Sequence, residues 1–178
     1  MHADDAIRKR FHLTLLALAA ILALLAWEHL NGGVASHHLL ANPDLPAVSN
    51  WWGLLLVPLL AWWTVGQVQR RRARARVAPK FSPLAGFLCA LAYGALLSAL
   101  FAHGSAVVDY AFFGLLALAL VVRLWHAEYL LGFVLGTAFV TGPILPAMFG
   151  ALIALFSWLV QSAARAVWRK LRSRRGLA

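Results

Sequence analysis

Every Lys and Arg in this chain lies in residues 8–10, 70–80 or 165–175, or is Arg123. The sequence between those stretches is dominated by apolar runs of the length that crosses a bilayer. That pattern leaves few folds open. A soluble domain carries about 25% charged residues. Here 12% are charged and 62% hydrophobic, more apolar surface than a soluble core of this size can hide. The surplus belongs against lipid.

The apolar runs predict six spans, at residues 11–30, 51–68, 83–103, 106–122, 128–141 and 147–161. A run of 20 residues rises about 30 Å as a helix, one hydrocarbon thickness. With the N-terminus in the cytoplasm, six spans put all four basic stretches on the cytoplasmic side. Five would export the 165–175 stretch, against the tendency of Lys and Arg to stay inside. The fold expected is therefore an all-α membrane protein, a six-transmembrane-helix bundle with N- and C-termini cytoplasmic, in the plasma (inner) membrane. Trp27-Glu28-His29 follows the first run where a leader would need small residues, so that span is expected to remain uncleaved.

Residues 1–163 read as one bundle carrying an outer loop at 31–50, and 164–178 as a basic cytoplasmic tail. In that tail Trp168 and Leu171 stand among Arg165, Arg169, Lys170 and Arg172, as in an amphipathic helix lying on anionic headgroups. The partners implied are the bilayer itself, with anionic headgroups at the basic loop and tail, and a second copy or other membrane partner against the small faces of Ala17, Ala19, Ala20 and Ala23. The net charge of +10 follows from topology, and no nucleic-acid module accompanies it.

Local signals fill in the connections. Asn31-Gly32-Gly33 ends the first helix. Ser36 would cap a short helical turn over 37–41, and Pro43 and Pro46 would hold Asp44 in a rigid turn. Ser49 or Asn50 suits the N-cap of the second span, and Pro83 the first turn of the third. Gly104-Ser105 makes a tight turn. Residues 123–128 contain neither Gly nor Pro, which leaves that boundary poorly marked. His126 and Glu128 there read as ordinary interfacial residues.

Under this topology Glu28, His29, His37, His38, Asp44, His103 and Asp109 gather at the outer face, with no Lys or Arg among them. Imidazoles and carboxylates that converge suit a zinc-like divalent transition metal. His37, His38 and His103 are the candidate ligands, Glu28 the candidate general base, and Asp109 a ligand or an orienting group. Asp109 lies within a span, where charge is costly, so it is expected to face the bundle interior and meet His103. No HExxH or Gly-x-Ser-Gly motif is present. Three functions fit: a metal-dependent membrane-embedded hydrolase acting on a lipid-like substrate, a small-solute or metal transporter or substrate-binding membrane subunit, and a membrane assembly or scaffold protein. Cys89, the only cysteine, excludes an internal disulfide.

Overall fold

The computed structural model describes residues 3–38, 44, 46–75 and 82–174, with 3, 37, 38 and 174 described in their backbone only. It is all-helical apart from one small ribbon. The elements are α1 (Ala3–Leu30), β1 (Ser36–His38), β2 (Ala47–Ser49), a 3-10 turn (Asn50–Trp52), α2 (Gly53–Arg74), α3 (Pro83–Ala102), α4 (Val107–Val121), α5 (Ala127–Thr141) and α6 (Ile144–Arg174). Helices α1, α2, α3 and α6 are long and apolar enough to cross a membrane. The protein is a membrane protein on that ground. Helices α4 and α5 are apolar but shorter, at 15 residues each, which is about 22 Å of rise.

Several boundaries follow from single residues. The Ser82 hydroxyl accepts from Ala85 N at 3.0 Å and so caps α3, with Pro83 at its first turn. Ser49 caps the 3-10 turn by accepting from Trp51 N. Gly142, at φ 67°, ends α5 in a conformation that side chains with a Cβ rarely adopt. Two expectations are corrected. Residues 36–38 are not the start of a helical turn: they pair antiparallel with 47–49, Ser36 opposite Ser49 and His38 opposite Ala47. The basic tail does not begin as a separate helix either, because α6 runs unbroken from Ile144 to Arg174.

Contacts fix the direction of each helix. Ile21 lies against Gly53 and Arg10 against Gly66, so α1 and α2 are antiparallel. Gly86 meets Glu128 and Gly94 meets Gly136, so α3 and α5 are parallel. Ser157 of α6 reaches Ala119 of α4, and Phe149 packs edge-on against Phe112, so those two are parallel. The chain therefore alternates between one end, which carries the ribbon, and the other, which carries the basic stretches.

Helix α5 is the centre of the bundle. Eight of its residues are buried, including Glu128, Leu131, Phe133, Val134 and Thr137. Leu131 joins a core with Ile21, Leu25 and Val57 of α1 and α2. Phe133 joins another with Leu97, Leu115, Ala119 and Ile153. Helix α3 approaches it closely through small residues four apart: Ala90 and Gly94 on α3 against Gly132 and Gly136 on α5. Lipid tails are as apolar as Leu, so close backbone packing of this kind drives helix association in membranes. Helix α4 leans on α6 instead. Its last carbonyls, orphaned at a helix end, are claimed from α6. The Ser157 hydroxyl donates to Ala119 O at 2.7 Å and Gln161 Nε2 to Val122 O at 2.8 Å.

Candidate functional site

The ribbon end holds the residues singled out in the sequence, and among the described side chains it does not bring Glu28, His103 and Asp109 together as a metal-holding group. Glu28 is engaged structurally. One carboxylate oxygen accepts from Asn50 Nδ2 at 2.7 Å and the other from Ala35 N at 3.1 Å. Asn50 is buried, and Gly142 packs against its amide with no room for a Cβ. The carboxylate thus ties the end of α1 to the loop and to the start of α2, beside the α5–α6 turn. Replacing Glu28 with Ala orphans a buried amide and a backbone N–H. It is expected to cost about 1–3 kcal/mol, read as a lower midpoint in denaturant or thermal unfolding. A general base would instead lose activity with the fold intact.

His103 is exposed, and its Nδ1 lies 3.0 Å from Ala99 O of its own helix. Asp109 is also exposed, which corrects the expectation that it faces the interior. It sits in the first turn of α4, where a carboxylate complements the helix dipole. Asp44 is exposed. The backbones of His37 and His38 lie in β1, and their side chains fall outside the described residues. Among the described residues no group of three or more His, Cys, Asp or Glu is arranged to hold a metal.

The polar cluster with most burial is at the basic end. Glu128 is 5% exposed and forms an ion pair with Arg71 of α2, so it is not the interfacial residue that the sequence suggested. His126, just before α5, has Nδ1 3.7 Å from Glu128 Oε1 and its ring stacked beside Tyr129. Burial, and then the guanidinium of Arg71, hold the His126 imidazole below its ordinary pKa despite the carboxylate. The ring is therefore neutral at neutral pH. Thr64 donates to Ala127 O at 3.3 Å, which locks α2 to the start of α5. Arg71 Nε is buried without a partner among the described residues.

Beside this cluster is an open-sided cavity of about 390 Å3 between α3, α4, α5 and α6, with Cys89 and Leu118 of its wall exposed. It exists because α4 packs on α6 and leaves a seam toward α3, bridged where the Tyr93 hydroxyl donates to Ala111 O. Gly86, Cys89, Tyr93, Leu118, Tyr129 and Ile153 are among its lining, which is almost wholly carbon. A smaller cavity of about 160 Å3 continues the seam toward the ribbon end, past Phe133 to Ser98 and Thr137. The larger one has the size of a small-molecule site. Its walls offer no ionised group to a polar solute or a metal ion.

The sequence reading passed over this region. Gly132-x-x-x-Gly136 is a recognisable helix-approach pattern, and it would have pointed to α5 as the buried helix. Nothing marks Arg71 among the six basic residues of 70–80, so its pairing with Glu128 had no local signal. No protein-family model, curated protein or solved structure matches the chain. The arrangement is interpreted from its own chemistry.

Proposed function

We propose that the chain is a six-span plasma (inner) membrane protein, both termini cytoplasmic, that binds a lipid-like amphiphile in the cavity between α3, α4, α5 and α6. Support for six crossings comes from the Arg71–Glu128 ion pair. It joins the α4–α5 turn to the basic end of α2, as full crossings by α4 and α5 require. The carboxylate in the first turn of α5 is buried and has that cation beside it. The positive-inside tendency then makes the basic end cytoplasmic. The basic loop and the C-terminal part of α6 would meet anionic headgroups there.

The observation that carries the ligand is the apolar lining of the cavity. A hydrocarbon chain gains there by packing, whereas a hydrated solute would lose its water without replacement. Binding, carriage or presentation of a lipid fits this lining better than hydrolysis, because the nearest carboxylate, Glu128, is already paired with Arg71. The outward metal centre of His37, His38 and His103 has less support: Glu28 is engaged elsewhere and Asp109 is exposed.

Native mass spectrometry of the detergent-purified protein tests this reading. The wild type is expected to retain about one lipid. Cys89→Trp, which fills the cavity from its α3 wall, should weaken retention at least about tenfold, or 1.4 kcal/mol, with the unfolding midpoint little changed. Equal retention by both proteins contradicts the reading. One equivalent of metal in the purified protein, lost in His103→Ala, would return the function to the ribbon end.

A further inference from the structure

We infer that the cavity takes a phosphate-bearing anionic lipid, with a hydrocarbon chain inside it and the phosphate against the guanidiniums of Arg123 and Arg165. This rests on the lipid reading above and adds the headgroup. The turn between α4 and α5 forms one end of the cavity, since Val122, Leu124 and Tyr129 all line it. Two cations stand at that turn, one of its own and one from α6. Arg123 lies between two of the lining residues and is exposed. Arg165, from α6, stands over the Trp125 ring at 5.3 Å. Its Nε donates to Gln161 O at 3.0 Å and its Nη2 to Ser162 Oγ at 3.2 Å.

The charge balance at the turn is uneven. Its buried carboxylate, Glu128, is already committed to Arg71. Among the described residues neither Arg123 nor Arg165 has a carboxylate partner. An apolar slot that ends at a turn carrying Arg123, with Arg165 over Trp125 of the same turn, complements a molecule with a long hydrocarbon chain and an anionic head. The guanidinium fork suits phosphate oxygens, which it can engage with paired hydrogen bonds. The turn is also held in place for this role. Ser157 and Gln161 bind its first carbonyl, and Thr64 binds Ala127 just beyond it.

The test is a titration of the delipidated full-length protein in detergent, with bound lipid counted by native mass spectrometry. Phosphatidylglycerol and phosphatidylcholine with identical acyl chains are the two probes. The wild type is expected to prefer the anionic lipid by roughly tenfold, as two cations at a membrane surface allow. Arg123→Gln/Arg165→Gln should lose the preference and bind both lipids as the wild type binds phosphatidylcholine. Arg169→Gln/Lys170→Gln, which removes the same charge farther along α6, should keep it. Equal binding of the two lipids by the wild type overturns the headgroup inference and leaves the cavity reading standing. So does a preference that survives in the Arg123/Arg165 variant or disappears in the Arg169/Lys170 one. Binding that is insensitive to Cys89→Trp overturns the cavity reading itself, and the headgroup inference with it.

Discussion

Gly136→Leu is expected to leave little or no correctly folded protein. A methyl group at Gly136 alone would lie 2.9 Å from Ala95 N and 3.0 Å from Gly94 Cα, and closer still to the Leu91 carbonyl oxygen. These are backbone atoms of α3, which cannot rotate aside as a side chain can. Overpacking of a core costs about 1–3 kcal/mol when neighbours give way. Here relief requires the two helices to separate, so the cost reaches the top of that range or beyond. Gly132 meets Phe87 O and Leu91 N in the same way, and Gly132→Leu should behave alike. Gly114 on α4 has nothing within 4 Å of a Cβ. Gly114→Ala is therefore the control, at wild-type stability or slightly above it. Size-exclusion profile and thermal unfolding in detergent read both outcomes.

The second large effect concerns the buried ion pair. Arg71→Leu leaves the Glu128 carboxylate, with its side chain 7% exposed, without its cation. Breaking a buried pair from one side costs about 3–5 kcal/mol. The Arg71 side chain is 35% exposed, so solvent softens the loss and about 3 kcal/mol is expected. Glu128→Gln should cost less, because the remaining guanidinium still reaches water. The double variant Arg71→Leu/Glu128→Leu should recover much of the loss, since no charge then remains buried. A double-mutant cycle on unfolding free energies measures this coupling. Additive single effects would mean that the pair is not formed.

These two sites mark where the sequence was legible and where it was not. Apolar runs and the segregation of Lys and Arg were enough to find every long helix, and Pro83 and Ser49 marked two of the starts. The interior was harder to read. In a bilayer both the lipid face and the protein face of a helix are apolar, so hydrophobic periodicity does not say which side is buried. Only small and polar residues do, and they speak in pairs. Gly136 matters because Leu91 and Gly94 oppose it; Glu28 matters because Asn50, distant in sequence, turns toward it.

The same limit applies at the ribbon end. Imidazoles and carboxylates that share a membrane face need not share a point. Asp109 and His103 reach the ribbon end and stay exposed there. Glu128, read as interfacial, is the carboxylate that the bundle buries. Helix α5 is short enough to bring its first turn inside the bundle, and an apolar run of uncertain start could not reveal that depth.

The most direct test of the lipid site is crosslinking with a phospholipid that carries a photoactivatable group on its acyl chain, followed by peptide mapping. The account predicts adducts concentrated on the sheltered cavity walls, at Tyr93, Tyr129 and Ile153, and their loss in Cys89→Trp. Adducts spread evenly over exposed positions such as Leu16, Leu22 and Leu55, with the cavity walls unlabelled, would contradict it.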